Sequence, residues 1–262
     1  MSQSHSLEGR VAIVTGGNRG IGKAIAIGLA QDGANVAVNY RRDTEGAAQT
    51  VAEIEALGQR AIAYQAPVDD YEAVQVMVQQ VVADLGSVDI LVNNAGIASR
   101  GMAVADTDPA EFERVVRTHA FGTFYATREV IPHMRTRPRG DIIMISSAAT
   151  RNWGANGAPY NVGKAGIEAL AYGVAKEELR NNIRVNVVAP GLVETEMGRR
   201  LIKATRGVDD IRDVDDTSPF GHVCQPEDVA NAVRYFVSDL NTYVTGDRLY
   251  VDGLASAMAN VT

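Results

Sequence analysis

The sequence predicts an α/β protein, a single doubly wound domain over 1–262 built on a mostly parallel sheet of seven strands. Three observations carry that expectation. Seven short apolar runs are spread along the chain, and stretches with helical spacing separate them. No linker, low-complexity segment or internal repeat divides the chain. The Val/Ile-rich runs are apolar on both faces, as a parallel strand must be when helices cover both sides of its sheet.

In chain order, "RVAIVTG" is the first strand and leads into a glycine-rich turn. "GKAIAIGLAQDG" then repeats its apolar residues at i, i+3 and i+4, as one face of a helix does. "NVAVNY" and "RAIAYQ" are the second and third strands, and "EAVQVMVQQVVADLG" the long helix after them. "VDILVNNAG" is the fourth strand, followed by a long fourth helix that includes "RVVRTHAFGTFYA". "GDIIMISS" is the fifth strand. "APYNVGKAGIEALAYGVAKE" reads as a helix opened by Pro159, whose fixed φ suits the first turn. "IRVNVVAPG" is the sixth strand and "DRLYVDG" the seventh, with a helix opening at "QPEDVA" between them. The least regular region is 196–222, long and polar, and it is expected to be a lid over the site or a plain surface excursion.

Composition narrows the function classes. The chain has 262 residues, 46% hydrophobic, enough for one large core. A net charge of −7 argues against nucleic acid, whose phosphates require a basic surface. The lone Cys224 excludes an intramolecular disulfide framework and fits a reducing compartment. "MSQSHSLEGR" has no apolar leader core and no later run approaches a membrane span, so a cytoplasmic location is expected. His5, His119, His133 and His222 show no ligand spacing, so no metal is expected.

The chemistry lies in a few motifs. The first strand runs directly into Thr15, Gly16, Gly17, Asn18, Arg19, Gly20, Ile21 and Gly22. Glycines there let the backbone approach a pyrophosphate, and the following helix N-terminus offers free N–H groups. Tyr160 and Lys164 stand four residues apart, just over one turn, and therefore share a helix face. A phenol ordinarily ionises near pH ~10, too high for acid–base work at neutrality, and a neighbouring ammonium favours the phenolate. No G-x-S-x-G elbow surrounds Ser147, which argues against a hydrolase nucleophile.

From Gly9 to Gly253 the sequence resembles a short-chain dehydrogenase/reductase, with the branch of 3-oxoacyl-carrier-protein reductases the most similar by its residues. The motifs come in family order: Thr15 to Gly22, then Asn93-Asn94-Ala95-Gly96, then Ser147, Tyr160, Lys164, and Pro190-Gly191. The resemblance implies a Rossmann-type fold and hydride transfer between a nicotinamide dinucleotide and a carbonyl or secondary alcohol. It implies that Ser147 positions the substrate oxygen, Tyr160 exchanges the proton, and Lys164 tunes Tyr160 and holds the nicotinamide ribose. The implied cofactor residues are Gly16, Asn18, Arg19, Gly20, Ile21, Arg41, Val68, Asn94, Gly96, Tyr160, Lys164, Val193 and Thr195. It also implies a symmetric homotetramer, for which Gly163, Ala165 and Gly166 would permit close helix packing, although they could equally serve packing within the chain.

Tyr40 stands where NAD-preferring relatives carry an acid, and Arg19, Arg41 and Arg42 lie nearby, which favours a 2′-phosphate and hence NADP(H). Two positions depart from the family. His119 stands where relatives have the asparagine that completes a catalytic tetrad; it holds the same water, leaves the relay impaired, or is an interior packing residue. Pro67 replaces an Asp or Asn beside the adenine, which removes one polar contact there.

The expected pocket wall of Ile97, Ser99, Arg100, Ala149, Arg151, Trp153 and Leu192 selects no one small-molecule carbonyl or alcohol. "HMRTRPRGD" with Lys176 resembles the carrier-docking area of such reductases, or is a solvated charge cluster, so a carrier-bound substrate stays open. An alcohol or polyol dehydrogenase working oxidatively, and a dinucleotide sensor without turnover, are the competing functions.

Overall fold

The computed structural model describes residues 7–258. The N-terminal stretch that holds His5, and the last four residues of the expected domain, lie outside the described residues.

All seven expected strands form: β1 (Val11–Val14), β2 (Asn35–Tyr40), β3 (Ala61–Gln65), β4 (Ile90–Asn93), β5 (Gly140–Ile145), β6 (Ile183–Pro190) and β7 (Arg248–Val251). They make one sheet in the order β3-β2-β1-β4-β5-β6-β7, and every pairing is parallel. The order reverses between β1 and β4. A crevice opens at such a switch point, outside the carboxyl ends of the strands, and ligands of these sheets bind there.

Alternation along each strand divides the core in two. On one face Ala12, Val14, Val36, Val38, Ile143 and Ile145 pack with α1 (Gly20–Gln31), α2 (Thr44–Glu55) and α9 (Pro226–Val237). On the other, Val11, Ile13, Leu91, Ile142 and Met144 pack with α3 (Tyr71–Leu85), α5 (Gly122–Met134) and α7 (Ala158–Glu178). The two edge strands are the exceptions to two-sided burial: β3 leaves Gln65 exposed, and β7 is at most half-buried with Leu249 exposed.

The expected long fourth helix is not continuous. It comprises α4 (Pro109–Val116), a five-residue π turn over Arg117–Phe121, and α5. A π turn widens the helix by one residue, and such bulges recur at functional sites. A short helix, α6 (Ala149–Asn152), follows β5, and α10 (Ala255–Met258) follows β7.

Region 196–222 is more ordered than its polar composition suggests. It holds α8 (Glu196–Arg206), capped by the Thr195 hydroxyl on the Gly198 N–H at 3.0 Å, and a 3-10 turn over Ile211–Thr217. Ile202, Ile211, Val214 and Val223 bury one another as a small separate cluster. Four apolar residues spread over twenty-two positions left no periodic signal to read.

Candidate active site

The glycine turn and the segment after β4 are locked together. Thr15 Oγ1 accepts from the Asn94 and Ala95 N–H groups at 2.9 and 3.0 Å, and Asn94 Nδ2 donates to the Thr15 and Gly16 carbonyls at 2.9 and 3.2 Å. A Cβ on Gly22 would stand 2.2 Å from the Gly16 oxygen and 2.5 Å from Asn94 Nδ2, so no larger residue fits. Gly16 and Gly20 have φ of +63° and +52°, in the left-handed region that favours glycine. Arg19 stands at the N-cap of α1 without a side-chain cap bond, which leaves the first-turn N–H groups free for an anion. These features fit a dinucleotide pyrophosphate.

Around that cradle, Thr195 lies above Gly20, whose Cβ would be 3.3 Å from the Thr195 methyl. Ile21 packs partly into the core. Val68 is buried against Gly122, and Val193 is buried and bridged to Cys224, so Val193 can reach a cofactor only through its backbone. Asn18 Nδ2 donates to Asp43 at 2.9 Å. Sequence reasoning missed Asp43: its carboxylate caps α2 through the Gly46 N–H, and these bonds hold it below the usual carboxylate range. It is an acid just past the end of β2, three residues beyond Tyr40. Arg19 pairs with Glu196 at 2.6 Å and Arg41 with Asp69 at 3.7 Å, with both arginines exposed. Such surface pairs contribute little and yield to a better anion.

Ser147, Tyr160 and Lys164 converge beyond the end of β5. The Ser147 hydroxyl accepts from the Ala149 N–H at 3.2 Å and stands near the Tyr160 phenol, whose ionised form it favours. Pro159 sits in the first turn of α7, as expected, and sets Tyr160 and Lys164 one turn apart. Lys164 Nζ donates to the Ile145 carbonyl at 2.8 Å and lies 5.5 Å from the Tyr160 ring centre.

The electrostatics differ from the simple expectation. Burial pushes the Tyr160 phenol up, and the Ser147 hydroxyl only partly offsets this. Burial also pulls Lys164 down to about 7, with Glu168 opposing. Lys164 therefore does not by itself bring Tyr160 toward neutrality, because it is as desolvated as its partner.

His119 sits in the π turn, 1% exposed. Its Nε2 is 2.8 Å from the Ile97 carbonyl, which ties the turn to the segment after Gly96, and its Nδ1 is buried without a protein partner. The ring meets Tyr160 edge-on at 5.3 Å between centres. A Cβ on Gly96 would stand 2.5 Å from His119 Cε1, and one on Gly163 2.9 Å from His119 Cβ. Gly163 thus admits the imidazole, and Gly166 faces Ala120 of the same chain, so these small residues pack internally. Burial and the Lys164 charge pull His119 down to about 3, so it is neutral at physiological pH. An acid limb from His119 near its ordinary value of ~6.5 is therefore not expected.

Several expected pocket residues are engaged elsewhere. Arg151 stacks over Tyr250 at 3.8 Å and pairs with Asp252, and Leu192 packs against the small cluster of region 196–222. Glu111 holds the Arg100 N–H at 2.6 Å, while Trp153 is exposed. The basic stretch after α5 is neutralised: Arg135 pairs with Glu178, Arg137 with Asp89 and Arg139 with Asp141. It also precedes β5, whose six residues put it ~20 Å from Ser147, at the opposite end of the sheet. Among the described residues no cluster could hold a metal, and no helix is long and apolar enough to cross a membrane.

Comparison with known proteins agrees with this geometry. A family model described as enoyl-(acyl carrier protein) reductase matches residues 16–253. The chain belongs to the short-chain dehydrogenase/reductase family. It is 39% identical to versicolorin reductase 1 of Aspergillus parasiticus, over 97% of this chain and 98% of that protein. It is 37% identical to a 3-oxoacyl-[acyl-carrier-protein] reductase of Staphylococcus aureus, over 92% and 96%. Among solved structures, 7α-hydroxysteroid dehydrogenase in complex with NADH and 7-oxo glycochenodeoxycholic acid superposes with a TM-score of 0.88 at 33% identity, covering 97% of this chain and 96% of that one. A short-chain dehydrogenase from Burkholderia cenocepacia in complex with NADP does so with a TM-score of 0.84 at 35% identity, covering 94% and 98%. As a member of this oxidoreductase family, the chain acts on CH–OH and C=O groups with a nicotinamide dinucleotide.

Proposed function

We propose that this short-chain dehydrogenase/reductase is an NADPH-dependent carbonyl reductase of the cytoplasm, acting on a small ketone or 3-oxoacyl compound. The observation that carries the reading is the convergence of Ser147, Tyr160 and Lys164 at the carboxyl end of β5, on the sheet edge that also bears the glycine cradle. The Ser147 hydroxyl positions the substrate oxygen by donating to it, and the Tyr160 hydroxyl delivers the proton to that oxygen. Lys164, when protonated, holds the ribose hydroxyls and favours the phenolate left behind. A bound nicotinamide supplies the hydride and, once oxidised, a positive charge that favours the same phenolate. His119 positions the segment after Gly96 through Ile97, and its Nδ1, buried without a protein partner, is suited to hold a water in a proton relay.

NADPH is favoured over NADH by Arg19 and Arg41, both exposed at the rim of the adenosine side, and by Tyr40 in place of an acid. The homotetramer is supported by a groove of about 730 Å³ on the outer faces of α5 and α7, lined in part by Phe124, Ile131, Pro132 and Leu170, with Gly173 open to it. Arg128, Glu129, Arg135, Glu177 and Glu178 line it as well, and a surface that carries apolar residues with charges of both signs suits the same pair from a second copy. Light scattering that showed a stable monomer would end that part of the proposal. The activity is tested by following NADPH and NADH oxidation with a panel of ketones and 3-oxoacyl thioesters. No turnover with any of them would reject the reading.

A further inference from the structure

Glu168 is a carboxylate that the chemistry above does not use. It lies one turn beyond Lys164 on the sheet-facing side of α7 and is 6% exposed. Burying a carboxylate there costs several kcal/mol, about what an apolar residue packing α7 on the sheet would avoid. Its partners show what offsets that cost. Oε1 accepts from Ser146 Oγ at 2.6 Å and from Thr150 Oγ1 at 2.8 Å, and Oε2 accepts from Arg248 of β7. Thr150 Oγ1 is equally close to the Ser147 carbonyl, at 2.8 Å, but that carbonyl already accepts the Thr150 N–H at 3.1 Å. With one hydroxyl hydrogen to give, Thr150 gives it to the charged acceptor. The residues on both sides of Ser147 are thereby bonded to one atom of α7.

We propose that Glu168 is a positioning residue for this site: it fixes the Ser147 turn against the helix that carries Tyr160 and Lys164, and it supplies the negative charge behind Lys164. The inference rests on the roles proposed above for those three residues. Two errors would follow from its loss. Ser147 would be free to drift relative to Tyr160, and reacting groups displaced by ~1 Å cost on the order of 100-fold in rate. Lys164 would lose the one carboxylate that opposes its desolvation. The other groups facing Lys164 are Tyr160 on its own helix, the neutral His119 ring from the π turn and the Ile145 carbonyl of β5, and none of them is an anion in the resting protein. Around Glu168 stand Ser146, Thr150 and Arg248; Arg248 stacks on Tyr250, as Arg151 does from the α6 side, and Tyr172 also acts on it.

Three variants separate positioning from mere stability. Glu168→Gln keeps an acceptor oxygen for Ser146 and Thr150 but removes the charge. Glu168→Ala removes both. Arg248→Leu leaves Glu168 its two hydroxyl donors and removes the positive neighbour. The readouts are the ¹⁵N titration of Lys164 Nζ, assigned with Lys164→Met, and the pH profile of kcat for NADPH-dependent ketone reduction. Thermal melting and far-ultraviolet circular dichroism identify folded variants.

Expected for Gln is a Lys164 midpoint lower by on the order of one pH unit. Its rate plateau stays near that of the unsubstituted protein, and its basic limb moves down with the midpoint. Expected for Ala is the same shift with a plateau lower by ~10–100-fold. Arg248→Leu moves the midpoint up. A Lys164 midpoint unchanged in a folded Gln variant overturns the inference, as does an Ala variant with an unchanged plateau. Because the ¹⁵N titration needs no turnover, it still decides the charge half of the inference if no carbonyl is reduced, an outcome that would reject the proposed function instead.

Discussion

His119 offers a sharp test of the electrostatics, because it is buried neutral in a place where its unfolded counterpart titrates normally. Its folded value is about 3 and the ordinary histidine value is ~6.5. Between those values the unfolded chain binds a proton that the folded chain refuses, so stability falls as pH falls. The contribution is fully present above pH ~6.5 and is lost progressively toward pH ~3. Each pH unit in that window is worth ~1.4 kcal/mol per proton, so at pH ~4.5 the loss from this one residue is ~2.7 kcal/mol. His119→Asn does not titrate and removes the loss.

The assay is urea unfolding of both proteins at pH ~7.5 and ~4.5, followed by circular dichroism. The carboxylates are common to both proteins and cancel in the double difference. The substituted protein should therefore gain ~2–3 kcal/mol on the original between the two pH values, whatever its stability at the higher one. A double difference near zero would refute the reasoning and place His119 in a hydrated or ion-paired environment.

Gly22→Ala would force a Cβ to within 2.2 Å of the Gly16 oxygen, so about 1–3 kcal/mol of stability and most NADPH affinity should be lost, as read by melting and fluorescence titration. NADPH should bind more tightly than NADH, and Arg41→Ala should narrow the gap. Equal or tighter NADH binding by the unsubstituted protein would remove the cofactor assignment. Because burial holds Lys164 at about 7, kcat/KM for reduction should decline as pH rises through that value, and a profile flat from pH ~6 to ~9 would mean that Lys164 stays charged by some other partner.

Most of the fold was legible because a parallel sheet writes itself into sequence as separated Val/Ile runs, and all seven runs are strands in one sheet. The site was legible where chemistry and local geometry coincide: Pro159, Tyr160 and Lys164 lie within two turns of one helix. What escaped depended on contacts across the sequence. The π turn at 117–121 has no composition signal, and the glycines it packs against, Gly96 and Gly163, lie on other elements. Glu168 reads as one more surface charge on a helix until Ser146, Thr150 and Arg248 are seen around it. The basic stretch 135–139 reads in sequence as either a docking surface or a solvated charge cluster, because its partners Glu178, Asp89 and Asp141 come from distant elements.

The central claim is that Tyr160 delivers the proton to a carbonyl oxygen held by Ser147, and Tyr160→Phe tests it most directly. The substitution removes one oxygen and leaves the ring against His119 and Lys164. The decisive measurement is single-turnover oxidation of bound NADPH by a ketone that the unsubstituted protein reduces, with NADPH affinity measured alongside. The account predicts unchanged NADPH binding and a reduction step slower by about 10²–10⁴-fold. A Phe variant that reduces the ketone at nearly the original rate would contradict it.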